Sequence, residues 1–125
     1  MPRTLDDVLA SARARLDRVP PSDLQAAIDA GSIVVDVRDS AQRATQGPLP
    51  GALVIDLTVL EWRLAPSSAT RIVDIDPDRR VILVCSEGYS SSLAAARLQD
   101  LGVSRATDLE GGFTAWRSWL TETAT

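Results

Sequence analysis

The run Val81-Ile82-Leu83-Val84-Cys85-Ser86-Glu87-Gly88-Tyr89-Ser90-Ser91-Ser92-Leu93-Ala94-Ala95-Ala96 reads as strand, tight loop, helix. Four apolar, mostly β-branched residues predict a buried strand that ends at a sulfur. Gly88 lets the backbone turn, and three serines followed by Leu93 and three alanines open a helix. Such a loop points successive backbone N–H groups inward, and the helix adds its positive end. A thiol held there should ionise below its usual value of ~8.5, because the thiolate gains hydrogen bonds that the thiol cannot fully use. Gly88 is the loop's only glycine. It is expected to take a positive φ or allow a close approach, so that a Cβ there costs reactivity with little loss of stability. A lone cysteine is commonly a buried structural residue. Its place at the end of an apolar strand, before a turn bearing glycine and serine, favours a reactive site instead.

Outward from this run, helices and strands alternate. Residues 5–16 carry a helical apolar stripe (Leu5, Val8, Leu9, Ala12, Leu16), with Thr4 as N-cap and Asp6 and Asp7 in the first turn. Val19-Pro20-Pro21 breaks it, and 22–30 is a short second helix stopped by Gly31. Residues 33–37 form a buried strand, 40–45 a helix, 46–51 a Pro/Gly turn and 52–55 a third apolar run. A helix at 57–64 and a polar loop at 65–70 lead to the central strand 81–84. The helix 91–101 closes at Gly102, 105–109 is the last strand, and 113–121 the last helix, with Phe113, Trp116 and Leu120 as core positions. Short buried strands between helices imply an α/β fold with a parallel sheet covered on both faces.

What the chain lacks narrows its chemistry. It has 125 residues, one cysteine and no histidine, and all 13 basic residues are arginine. A Cys–His pair, a Schiff-base or P-loop lysine and a histidine-ligated metal are all excluded. The run Asp74-Ile75-Asp76-Pro77-Asp78 starts like a calcium loop. It has Arg79 where the loop needs glycine and Cys85 where it needs the bidentate glutamate, so it reads as a solvated turn and no metal is assigned. One cysteine makes no internal disulfide, and a reducing, cytoplasmic setting is expected. No apolar run approaches ~18 residues, and the N-terminus lacks the apolar core of a secretory signal, so no membrane partner is expected. A net charge of −4 argues against nucleic acid.

The loop Cys85-Ser86-Glu87-Gly88-Tyr89-Ser90 resembles the active loop of rhodanese-type sulfurtransferases, Cys-x-x-Gly-x-Ser/Thr/Arg. Three further segments follow that family's order. Val34-Val35-Asp36-Val37-Arg38-Asp39 is similar to its first long strand with the Asp-Val-Arg signature. Gly47-Pro48-Leu49-Pro50-Gly51-Ala52 is similar to its Gly-His-Ile-Pro-Gly-Ala turn, with Pro48 in place of histidine. Glu110-Gly111-Gly112-Phe113-Thr114-Ala115-Trp116 is similar to its closing Gly-Gly-Phe-x-Ala-Trp segment. The resemblance implies a three-layer sandwich of about five mostly parallel strands with helices on both faces. It divides the chain into a helical extension, 1–17, and a rhodanese-like domain, 18–122.

The resemblance also implies a chemistry. Cys85 would accept a sulfane sulfur as a persulfide, cradled by Ser86, Glu87, Gly88, Tyr89, Ser90 and Ser91, and pass it to a thiol or cyanide without a cofactor. The donor would be a small sulfur compound or a protein persulfide, and the protein a monomer or weak homodimer. Asp36 and Arg38 would be structural, and Arg63 a candidate substrate contact. Strong thiosulfate users of the family often carry a basic residue in this loop, whereas this chain has Ser86, then Glu87, and no arginine from Ser86 to Ala96, so thiosulfate should be a weak donor. Two rivals follow. A non-catalytic regulatory or protein-interaction module is one. The other is a phosphatase, which needs an arginine six places after the cysteine, where this chain has Ser91.

Overall fold

The structure, a computed structural model, describes residues 2–124. Helix α1 (Leu5–Arg13) starts at a capping box in which the Asp7 amide donates to Thr4 Oγ1 at 3.0 Å and the Thr4 amide to Asp7 Oδ2. It ends three residues before the predicted stop, because Arg15 and Leu16 turn back through shorter i→i+3 bonds. Pro21 opens a 3₁₀ turn (Pro21–Asp23) that runs into α2 (Leu24–Asp29), and Gly31, at φ 101°, ends that segment.

Strands β1 (Ile33–Asp36), β2 (Leu53–Val54), β3 (Val81–Val84) and β4 (Ala106–Asp108) form one parallel sheet in the order β2-β1-β3-β4. Helices α3 (Ser40–Gln46), α4 (Leu60–Leu64), α5 (Ser90–Asp100) and α6 (Gly112–Thr123) make the crossovers and the final cover. The family resemblance implies about five strands; the structure has these four and, beside them, a single parallel bridge from Val19 to Leu109. Pro20 and Pro21 follow Val19 and have no N–H to extend the ladder.

The central strands are buried on both faces, so their side chains divide with period two. Ile33, Val35, Val81, Leu83 and Cys85 pack with Leu60 and Leu64 of α4 and Ala94, Ala95 and Leu98 of α5. Val34, Ile82 and Val84 pack on the other face with Leu24 and Ala27 of α2 and Phe113 of α6. Helix α1 lies against α5. Of the predicted α6 core positions only Phe113 is buried; Trp116 is half-buried and Leu120 exposed, because the helix runs on past the sheet.

Asp36 and Arg38 close the carboxyl end of β1. Arg38 is buried, and its Nε and Nη2 grip both Asp36 oxygens at 2.9 and 2.7 Å. It also donates to Gln46 Oε1 and the Gly47 carbonyl, and its guanidinium lies 3.9 Å from the centre of the Phe113 ring. One residue thus ties β1, the end of α3 and the start of α6. Arg38→Met should cost about 3–5 kcal/mol in equilibrium urea unfolding, because it leaves the Asp36 carboxylate buried and unpaired. A loss below about 1 kcal/mol would show that this pair does not hold the three elements.

Candidate active site

The strand order places a topological switch between β1 and β3. The loops leaving their carboxyl ends diverge there and open a crevice. A cleft of about 510 Å³ fills it, lined by Val37, Asp39, Gln42, Asp56, Leu57 and Thr58 on one side and Cys85, Ser86, Glu87, Tyr89 and Ser90 on the other.

Cys85 is buried at the floor of this cleft. The Gly88 amide donates to its sulfur at 3.1 Å and the Ser91 amide at 3.4 Å, while the thiol pairs with Ser91 Oγ at 3.1 Å. Burial pushes the thiol up. The hydroxyl and amide of Ser91, the nearby Ser90 hydroxyl and the Gly88 amide pull it down, and the outcome lies below an ordinary thiol.

The carbonyls of the loop also need partners. The first turn of α6 supplies two: Phe113 N–H donates to the Cys85 carbonyl at 2.9 Å and Thr114 N–H to that of Ser86 at 3.0 Å. The loop can approach α6 this closely only across glycine. Gly88 has φ 83°, and a Cβ on it would sit 2.8 Å from the Gly111 nitrogen; Gly112 abuts the Glu87 and Gly88 nitrogens from the other side. The expectation that a side chain at Gly88 would spare stability therefore fails, because the Cβ meets backbone. Gly111-Gly112, read from sequence only as a turn into the last helix, is the seat of the loop.

The third carbonyl, that of Gly88, takes donors from the N-terminal segment. Arg13 Nη2 reaches it at 2.7 Å and Arg18 Nη2 at 3.3 Å. Behind the loop lies the fully buried carboxylate of Asp108, the last residue of β4. Its Oδ2 accepts from Ser91 Oγ and Ser92 Oγ, both at 2.7 Å, and its Oδ1 from Arg18 Nε at 2.8 Å. Asp108, Arg13 and Arg18 were not singled out from sequence. A carboxylate ending a buried strand was the available signal, since a buried charge must have a partner.

The other sequence candidates scatter. Ser86 is joined through Gln46 Oε1 to the Arg38 network. Glu87 and Tyr89 are exposed at the rim. Arg63 is not brought to the cleft; its guanidinium donates to the Thr70 carbonyl at 3.4 Å. Among the described residues the cleft is lined by three carboxylates, Asp39, Asp56 and Glu87, and by no arginine. Hydrogen bonds from the Thr58 amide and hydroxyl hold Asp56 below the usual carboxylate range, so it stays charged at neutral pH.

A family profile described as Rhodanese-like domain matches residues 20–118. The thiosulfate sulfurtransferase GlpE of Pseudomonas savastanoi pv. phaseolicola is 36% identical over 101 residues, 81% of this chain and 87% of that protein. The protein of the same name from Pseudomonas fluorescens SBW25 is 38% identical over 101 residues, covering 81% and 84%. Among solved structures, a protein of unknown function from Rhodopseudomonas palustris, called a possible tyrosine phosphatase, superposes with a TM-score of 0.79 at 28% identity, over 95% of this chain and 96% of that one. A rhodanese homologue from Thermus thermophilus superposes at 0.58 with 32% identity, over 78% and 98%.

Two measurements check the loop geometry. Iodoacetamide alkylation of Cys85 should titrate below ~8.5 in the native protein and return to ~8.5 in urea. Because folding lowers this thiol's pKa, its stabilising contribution is present above the unfolded pKa and lost as pH falls through the folded one, and Cys85→Ala should abolish that increment. Gly88→Ala should raise the alkylation midpoint and also cost at least about 1–2 kcal/mol in unfolding experiments.

Proposed function

The chain belongs to the rhodanese-like domain family, and from that premise we propose that it is a sulfurtransferase working through a Cys85 persulfide. The observation that carries this reading is the sulfur at the cleft floor, facing two amides and a hydroxyl in place of a histidine base. In the first half-reaction the Cys85 thiolate attacks the sulfane sulfur of a donor. A Cys85 S–S bond forms, the donor's bond to that sulfur breaks, and its electron pair leaves with sulfite or a thiolate. In the second, an acceptor thiolate or cyanide attacks the outer sulfur and the Cys85 thiolate departs, which gives ping-pong kinetics. Loop amides suit this task because charge sits on sulfur before and after each transfer.

The rim bears on the choice of donor. Among the described residues Asp39, Asp56 and Glu87 line the entrance and no arginine does, although Arg43 lies near Asp56, so a dianion such as thiosulfate enters against the field, whereas a neutral or protein-borne persulfide does not. Glu87 is exposed, and its effect is therefore screened by salt.

A phosphatase reading is suggested by the description of the R. palustris structure. The arrangement of this loop opposes it. Ser91 occupies the place of the phosphate-gripping arginine and is buried against Asp108, and the two arginines that do reach the loop bind its carbonyl side. For a non-catalytic module, the lowered thiol has no evident use.

Incubation with a persulfide donor should add about 32 Da, one sulfur atom, to Cys85, and Cys85→Ser should abolish both the adduct and thiocyanate formation with the fold intact. A sulfur-free Cys85 under these conditions would favour the non-catalytic module. Glu87→Arg should lower KM for thiosulfate several-fold and make it more salt-sensitive; an unchanged KM would show that the rim charge does not govern donor choice.

A further inference from the structure

We propose that Arg13 and Arg18, which precede the stretch matched by the family profile, are positioning residues that set the reactivity of Cys85 from behind its loop. The inference deepens the sulfurtransferase reading and rests on it for its meaning, though not for its test.

Two physical effects carry it. The first is mechanical. Arg13 Nη2 and Arg18 Nη2 converge on the Gly88 carbonyl, and Arg13 Nε holds Ser92 Oγ at 3.1 Å. In a trans peptide the carbonyl and the following N–H point in opposite directions. Pinning the Gly88 carbonyl on the arginine side therefore turns the Tyr89 N–H to the opposite side and fixes the backbone of Gly88, whose own amide donates to the sulfur. Arg13 also lies 5.6 Å from the centre of the Tyr89 ring, so the same side chain fixes both ends of that residue.

The second effect is electrostatic. Asp108 is fully buried two hydrogen bonds from the sulfur, through Ser91 Oγ. A bare carboxylate there would oppose the thiolate. It would also keep the single Ser91 hydroxyl proton, which points to Asp108 while Cys85 is a thiol and is wanted by the sulfur once Cys85 is a thiolate. Arg18 answers both demands. Its guanidinium balances the carboxylate charge, and with Ser92 it leaves Asp108 hydrogen-bonded when the Ser91 hydroxyl swings to the sulfur. The proton rotates with its hydroxyl and is not transferred. The other charged groups near the loop are Glu87, Asp39 and Asp56 across the cleft, Arg43, which acts on Asp56 and donates to the Arg38 carbonyl, and the Asp36–Arg38 pair, which is internally balanced. Of the arginines, Arg13 and Arg18 are the two that bond the Gly88 carbonyl, and Arg18 also bonds Asp108.

The test uses the chain's single thiol, so alkylation reports on Cys85 alone and needs no sulfur donor. Arg18→Gln should raise the pH midpoint of iodoacetamide alkylation by about one unit, seen as ~tenfold slower reaction at a pH below both midpoints. Arg18→Gln combined with Asp108→Asn should bring the midpoint back toward the parent value, which a merely structural role for Arg18 would not do. In sulfur transfer, Arg18→Gln should lower kcat and leave KM for the donor unchanged, because Arg18 does not line the cleft. An unchanged midpoint in a folded Arg18→Gln protein overturns the proposal, as does a raised midpoint that Asp108→Asn fails to lower. If Arg18→Gln does not fold, the half-buried Arg13 decides. Arg13→Gln should slow alkylation several-fold and Arg13→Lys, whose single nitrogen cannot hold both Gly88 O and Ser92 Oγ, should recover only part of it; parent rates in both overturn the proposal. Absence of sulfur transfer from every protein, with the alkylation shifts intact, would refute the sulfurtransferase reading and leave this one standing.

Discussion

A peptide group cannot present its N–H to one side without presenting its own carbonyl to the other, and a loop built around Cys85 has to meet that constraint. A loop that gathers amides around a sulfur turns its oxygens outward into the protein, where each must be met by a donor. Here the oxygens of Cys85 and Ser86 are met by the first amides of α6 and that of Gly88 by two arginines, and the glycines that permit the contact belong to both partners. Buried Asp108 continues the same logic, since the serine hydroxyls that line the loop's inner side need an acceptor of their own.

This is how a thiol is held below its ordinary pKa in a chain without histidine or lysine. A general base would remove a proton, whereas here the environment makes the proton unnecessary by solvating the anion. The two strategies differ in their dependence on geometry. A base works through one contact, but dipolar solvation is shared among several weak contacts and fails if the loop relaxes. Rigid seating is therefore part of the chemistry, and the Arg38 network, although it touches no sulfur, contributes by tying Gln46, and through it Ser86, to the sheet.

Much of this was legible in the sequence. The strand, loop and helix around Cys85 stood out because an apolar run, a turn bearing glycine and serine, and a helix start follow one another within sixteen residues, and the parallel sheet followed from apolar runs too short to be helices. The positive φ of Gly88 was legible for the same reason. Long-range partners were not. Nothing local distinguishes Arg13 or Arg18 from arginines placed near a helix end to complement its dipole, and Asp108 could have been read as the residue that ends a strand. Arg63 shows the converse error, since a charged residue near the right element was credited with a contact that the helix geometry sends toward Thr70. Local pattern reveals what the backbone does; which distant side chain satisfies a buried group is decided by packing.

The seating of the loop also has a consequence in time. Its supports come from opposite ends of the chain: Arg13 and Arg18 are made long before Cys85, whereas Asp108 and the Gly111–Thr114 turn follow it. These are contacts of large sequence separation, the kind that form late in folding. A nascent chain that has just exposed Cys85 to its surroundings thus carries an ordinary thiol, slow to react with oxidants or electrophiles. The surroundings that lower this thiol are complete only when the last helix docks, so under the proposed function the fold withholds its reactivity until the cleft that directs it is formed.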